Sequence, residues 1–334
     1  MIHLFEIRPY FKIYPHLRIT LRKFVILRKG LCHPVCGRPF LLYDAHRGFD
    51  VASSVLTTGR NALPKSRSFS VSDLLALVFA AVILIVFAWL HHAEFPLGGH
   101  RFLTALAITA GFAVLAWFAG GVNFTGALAG SAVAFIMAVR DLRMFLALLI
   151  VFAVTLLATR VGYARKQQLR TAEPAGGRTA AQAMANLGIA ALVVAIAGKA
   201  WPMLALAALA EAAGDTSSSE IGMAFPGKTL MITNFKPVPA GTDGGMSLFG
   251  TIAALLGAAS VAIAAVATDL VPASQIATII LAGFFGTIID SLLGAIFERR
   301  GLLDNDLVNL LSTAAAVGMA WGLGSSFEFI LLLK

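Results

Sequence analysis

The feature that most constrains this chain is a succession of apolar runs, at 72–91, 102–119, 122–139, 144–163, 182–199, 201–213, 247–267, 273–296 and 307–332. A helix needs about 20 mainly apolar residues to cross the hydrocarbon layer. Lipid offers no partners to an open backbone, so spanning segments of this length must be helical. The expected fold is therefore an all-α polytopic membrane protein with about nine transmembrane helices. Composition agrees: charged residues make up only 13% of the chain, against about 25% in soluble domains. The sixth run, 201–213, is short, contains Pro202 and ends on polar residues. It reads as a short or broken helix, or as a span completed by the residues that follow. Small residues are dense throughout, and the four-residue spacings Gly126/Gly130 and Gly318/Gly322 suggest close helix packing.

The net charge of +9 is concentrated in one place. Residues 1–67 hold twelve Lys and Arg against Glu6, Asp44 and Asp50, whereas residues 68–334 hold fourteen of each sign. The first segment reads as a basic, poorly ordered extension preceding an integral membrane domain at 68–334. A basic tail suits an anionic leaflet, and no nucleic-acid-binding motif accompanies it. Cys32 and Cys36 lie in that tail with only His33 nearby, too few ligands for a zinc site. Basic residues flanking spans orient them: Arg60, Lys65 and Arg67 place the N-terminus inside, in a cell (inner) membrane. The span count then puts the loop at 164–181, with its four arginines and lysines, on the same side, while Arg140 and Arg143 fall outside.

A polar island, 211–250, interrupts the apolar sequence. Its first half holds Glu211, Asp215, three consecutive serines and Glu220. Glu211 and Asp215 are four apart, so on a helix they share a face. Glu211 directly follows WPMLALAALA, where an uncompensated carboxylate is expensive. A hard divalent cation is the simplest partner, because Mg²⁺ commonly takes one or two carboxylates plus substrate phosphates. The second half, PVPAGTDGGMSLFG, holds Gly241, Gly244 and Gly245, which permit turns closed to other residues. Such a turn, opening into a helix at Ser247, can present N–H groups to an anion, although it is no Walker sequence. Elsewhere, Arg178, Gln182 and Asn186 recur every four residues, and Asp290 lies deep in an apolar run. An ionisable residue inside a span marks a functional site by default. The inventory is carboxylates, amides, hydroxyls and glycines, with no sign of a haem, iron–sulfur or zinc centre. It suits phosphate and Mg²⁺ chemistry, or ion and solute binding.

The order AGDTSSSEIG (213–222), LMITNFKPVPAGTDGGMSLFG (230–250), GFFGTIIDSLLGA (283–295) and LDNDLVNLLST (303–313) resembles the transmembrane protein nineteen family. VNFTGALAG (122–130) and RTAAQAMANLG (178–188) fit the same pattern, and the resemblance spans about residues 75–325. This is an integral-membrane family long labelled a domain of unknown function, and it includes a plant chloroplast phytyl-phosphate kinase. The chain departs from the family's common pattern at Asp243, where Asn is usual, and at Ala181–Gln182, where an aromatic precedes Gln.

The resemblance implies an isoprenoid monophosphate kinase that moves a γ-phosphoryl group from CTP or another nucleoside triphosphate to a phytyl- or farnesyl-type phosphate. In that reading Asp215 and Asp290 hold Mg²⁺, with Glu211 or Glu220 assisting. Arg178, Lys236, Gly241, Thr242, Gly244 and Gly245 bind phosphate, and Gln182, Asn186, Asn305 and Asn309 orient substrate. The apolar spans, set in the lipid bilayer, hold the prenyl tail and leave its phosphate at the cytoplasmic surface. Two alternatives use similar parts: a transporter or lipid carrier, which shares broken helices and glycine-rich loops, and a cytidylyltransferase making a CDP-lipid. A transporter site sits near the bilayer midplane, whereas these motifs fall towards one face.

Overall fold

A computed structural model describes residues 70–92, 94, 99–172, 176–197, 201–225 and 227–332, with side chains to 324. The basic extension and both cysteines lie outside the described residues. Among the described residues nine long helices follow one another: α1 (Val71–His91), α2 (His100–Phe118), α3 (Phe124–Arg140), α4 (Leu142–Arg160), then, after the short α5 (Tyr163–Leu169), α6 (Ala180–Ile196), α7 (Trp201–Ala224), α8 (Leu248–Ala267), α9 (Ile276–Ile296) and α10 (Asn305–Leu332). The protein is an all-α, multi-pass membrane protein. Six of these helices, including α1, α2, α4 and α8, are long and apolar enough to cross a bilayer, while α3 and α6 are apolar but shorter. Leu115, Leu256 and Ile85 point outward, each about two-thirds exposed, as lipid-facing side chains must.

α7 is the hub of the bundle. The sequence left open whether the sixth run is a half-helix or is completed by the polar island, and the structure shows the second. The helix runs unbroken for 24 residues, from Trp201 through Asp215 and the serines to Ala224, which is about 36 Å. Pro202 sits in the first turn, where its missing N–H costs nothing. Every residue from Met203 to Gly214 is buried, with α4, α6, α8, α9 and α10 packed around it. Small residues make this possible: a Cβ at Gly257 would come within 2.6 Å of the Ala213 carbonyl, and one at Gly283 within 2.8 Å of Ala210. The serines, weak helix formers alone, are held helical by this packing, and Ser219 back-bonds to the Thr216 carbonyl at 3.1 Å.

The second half of the island is a three-stranded antiparallel sheet, which the sequence did not announce. β1 (Thr229–Met231) lies between β2 (Pro237–Val238) and β3 (Gly245–Ser247), pairing Leu230 with Pro237 on one side and with Met246 on the other. Pro237, lacking a donor, takes an edge strand as expected. Ser247 then caps α8, accepting from Gly250 N at 3.1 Å.

The two glycines at 126 and 130 part company. A Cβ at Gly126 would lie 2.1 Å from the Arg178 carbonyl, so this glycine does serve close approach, to the strand-like segment before α6. At Gly130 a Cβ would meet nothing within 4 Å. It borders a cavity, and the packing role expected from its spacing does not apply. Gly318 likewise has no neighbour within 4 Å of an added Cβ.

At the bundle end opposite the island, Arg143 pairs with Asp141 at 2.7 Å and donates to the Asp269 carbonyl at 2.7 Å. Arg140 reaches Glu94 at 3.4 Å and lies over the Trp201 ring. The two arginines that ran against the charge asymmetry are thus engaged locally.

Candidate functional site

A polar cavity of about 410 Å³ opens at the end of the bundle where α3, α6, α8 and α10 begin and α7 and α9 finish. Its walls gather residues that lie far apart in the chain. Arg178 comes from the segment just before α6, Gln182 and Asn186 from α6 itself, Asp215 and Glu220 from α7, and Asp290 from α9. The turn Gly241–Gly245, including Thr242, forms another wall, and Asn305 and Asn309 come from α10. Twelve residues singled out in the sequence therefore meet around one space.

Arg178 is placed by two clamped segments. Its N–H donates to the Gly121 carbonyl at 3.1 Å and its carbonyl accepts from Asn123 N at 2.9 Å. Gly126 supplies the room below, and Gly177, at φ +74°, passes against the Val122 backbone where no side chain fits. Asn123 caps α3 through Gly126 N at 2.8 Å, and Thr125 Oγ1 receives Ala180 N at 3.2 Å. Asp73 Oδ1, from the first turn of α1, accepts from Ala181 N at 3.3 Å. The motifs at 122–130 and 178–188 are thus one structural unit that aims Arg178 into the cavity, where its guanidinium donates to Thr216 Oγ1 at 3.3 Å. Gln182 has a second role beside lining the cavity: it completes a capping box with Thr179, its Oε1 accepting Thr179 N at 2.9 Å. Asn186 donates to the Gln182 carbonyl at 3.0 Å.

The acidic floor is a chain of carboxylates from α7, α9 and the turn that follows α9. Asp215 sits against Asp290, with the Arg178 guanidinium close enough to act on it. Asp290 in turn neighbours Glu211 and Glu298. Glu211 does not line the cavity; it lies beneath it, 1% exposed. Ser312 Oγ lies 2.7 Å from Glu211 Oε1 and 3.4 Å from Asp290 Oδ2, so its single proton serves one carboxylate at a time. Glu211 Oε2 is buried with no hydrogen-bond partner among the described residues, and Gly286 leaves the room its side chain occupies. Asp215 lies nine residues short of the α7 end, about 14 Å along the axis. The cavity therefore stays in the half of the bundle nearer the island, and Glu211 lies deeper, near mid-helix.

Three expectations change. Glu220 lines the cavity, but its carboxylate is paired to Lys166 of α5, which is fully buried. Lys166 also donates to the carbonyls of Ala158 and Thr159 at 3.1 and 2.7 Å. Glu220 is thus bound to a cation of the protein itself, a poor position for assisting a metal. Lys236 falls at the β1–β2 turn, exposed and away from the cavity walls. The glycine turn uses part of its N–H inventory internally, Thr242 N to the Pro239 carbonyl and Gly245 N to that of Thr242. Its glycines also serve contact: Gly244, at φ +74°, lies where a Cβ would come within 2.4 Å of Ala295 Cβ. That contact seats the sheet on the end of α9.

Residues absent from the sequence-derived set also line the cavity, among them Thr171, Ser218, Ser219, Ser291 and Glu298. The serine run advertised Ser218 and Ser219, and Ser291 and Ser312 stand in the motifs around Asp290 and Asn309. Nothing in the sequence marked Lys166 as the partner of Glu220. Among the described residues no group of three or more His, Cys, Asp or Glu is spaced to hold a metal by itself. The donor set that remains, Asp215 and Asp290, matches the one or two carboxylates Mg²⁺ takes when phosphates complete its shell.

A multi-pass membrane protein with a polar, carboxylate-floored cavity at one end is the class that fold and site define. The chain belongs to the family described as integral membrane protein DUF92, which matches residues 107–317 and so includes every wall of the cavity. It is 34% identical over 172 residues, half of this chain and 70% of the relative, to an uncharacterized membrane protein of Methanocaldococcus jannaschii. An uncharacterized membrane protein of Synechocystis is 29% identical over 197 residues, 56% of this chain and 76% of the relative. Protein VTE6, chloroplastic, of Arabidopsis thaliana is 31% identical over 181 residues, half of this chain and 54% of the plant protein. No solved structure matches the chain significantly.

Proposed function

We propose that this protein is an isoprenoid monophosphate kinase, acting on a phytyl- or farnesyl-type phosphate with CTP or another nucleoside triphosphate. The observation that carries the reading is the juxtaposition, in one cavity, of Arg178, the Asp215–Asp290 pair and the amides Asn186, Asn305 and Asn309. The membership in a family that includes a phytyl-phosphate kinase, and the likeness to VTE6, support it.

Asp215 and Asp290 would hold Mg²⁺, which when bound neutralises phosphate charge in transfer reactions of this kind. Arg178 offers a guanidinium fork suited to phosphate oxygens, and its backbone clamp keeps that fork at the cavity wall. The asparagine amides donate to phosphate or sugar oxygens. An oxygen of the prenyl monophosphate attacks the γ-phosphorus, and the bond from that phosphorus to the β–γ bridging oxygen breaks. A prenyl diphosphate and a nucleoside diphosphate result. A phosphate monoester, with a second pKa of about 6, is already an anionic nucleophile at neutral pH, so the cavity needs no general base. Ser312, shared between Glu211 and Asp290, positions the second carboxylate.

The test is prenyl-phosphate-dependent nucleotide turnover in membranes by Asp215→Asn and Asp290→Asn. Loss of turnover with normal insertion supports the assignment, and full activity in both variants contradicts it. The products separate the two alternatives: pyrophosphate and a CDP-lipid would mark a cytidylyltransferase, and solute flux without nucleotide turnover a transporter.

A further inference from the structure

A second cavity, of about 340 Å³, adjoins the first and shares Arg178 and Asn186 with it. Where the first is polar, this one is enclosed mainly by apolar side chains of α2, α3, α4 and α6. It reaches from Arg178 at the bundle end down to Leu148 of α4, twelve residues from the end of that helix and so about 18 Å deep. Phe112 of α2 closes one side, its ring edge-on to those of Phe145 and Phe152 at 5.6 and 5.2 Å. Gly130 opens the other, with free space where its Cβ would stand. The size falls within the range of about 300–1,000 Å³ usual for ligand sites. A void of this size lined by apolar groups gives water little to bond to.

A polar space and an apolar one meeting at an arginine and an amide are complementary to an amphiphile with an anionic head. We propose that the second cavity holds the hydrocarbon chain of the lipid phosphate, with Arg178 and Asn186 at the junction of head and chain. Gly130 sets how much chain the cavity admits. The inference rests on the reading of the polar cavity as a prenyl-phosphate site, and it narrows the place of the tail from the apolar spans at large to one cavity between α2, α3, α4 and α6. The chain exchanges lipid for an apolar protein wall, so hydrophobic transfer contributes little. Selectivity therefore comes from shape, and filling the cavity discriminates against long chains.

The experiment uses the full chain in proteoliposomes and a farnesyl monophosphate carrying a photoreactive group at its far end, with labelled peptides located by mass spectrometry. Label on Phe112, Leu148 or Phe152, displaced by unlabelled farnesyl phosphate, is the expected result in the unsubstituted protein. Gly130→Leu should lower that labelling at least tenfold and should cut turnover of farnesyl phosphate more than that of the shorter dimethylallyl phosphate. Label confined to outward-facing residues such as Leu256, or undiminished in Gly130→Leu, overturns the proposal even if phosphoryl transfer is intact. Should Gly130→Leu fail to fold, the label map of the unsubstituted protein decides alone. Specific labelling of the cavity without phosphoryl transfer from any nucleotide would uphold the chain site and sink the kinase reading.

Discussion

Lys166→Met isolates the buried pair under the cavity. The lysine is fully buried, Glu220 is 6% exposed at its side chain, and the ammonium also satisfies two carbonyls at the end of α4. Methionine keeps the stem's volume and removes only the charge and its donors. Glu220 is then left as an uncompensated buried carboxylate, which costs about 3–5 kcal/mol. At about 2–4 °C per kcal/mol for a domain of this size, the apparent melting temperature in detergent should fall by roughly 6–20 °C. Replacing both partners, Lys166→Met with Glu220→Met, removes the orphan charge and should recover most of the loss. What remains is about 1–3 kcal/mol for the Ala158 and Thr159 carbonyls left without a donor. The assay is thermal unfolding of the single and double variants beside the unsubstituted protein, with turnover measured on each. A double variant no more stable than the single would refute the reasoning. A double variant that is stable but inactive would return Glu220 to the chemistry, against its reading as a strut.

Gly286→Ala drives a methyl group to within 2.4 Å of Glu211 Cγ and 3.0 Å of the Ser312 carbonyl. Overpacking of this kind costs about 1–3 kcal/mol, and it should cut turnover more than stability alone explains, because it shifts Glu211 and Ser312 together. Gly244→Ala meets both a left-handed backbone and Ala295, so it should loosen the sheet from α9 and expose 229–247 to limited proteolysis. Gly301→Ala is its control: φ is +68° but the space around it is open, so only the conformational cost of about 1–2 kcal/mol applies and the sheet should stay protected.

The helices were legible because membrane-length apolar runs leave the backbone no other choice, and nine candidate runs correspond to nine long helices among the described residues. Much of the cavity wall was legible too. Asp290 stood out because a carboxylate in an apolar run is costly, Asp215 because it shares a helix face with Glu211, and Arg178 because its stripe reaches Asn186. Burial patterns that arise only from tertiary packing were not. The serine run could end a helix or continue one, and it continues one to Ala224, since five surrounding helices outweigh its propensity. Lys166 looked like one more inside charge and is fully buried, because its partner is 54 residues away. Gly130 looked like a packing glycine and borders a void, since spacing along one helix carries no information about which neighbour is missing.

The most direct test of the central claim is the fate of the γ-phosphoryl group. Purified protein in proteoliposomes, given γ-labelled CTP or ATP and farnesyl or phytyl monophosphate, should pass the label to the lipid as a prenyl diphosphate and release an equal amount of unlabelled nucleoside diphosphate. Asp215→Asn protein should not. Label that remains on the nucleotide, or appears only as free phosphate whichever prenyl phosphate is supplied, would contradict the account.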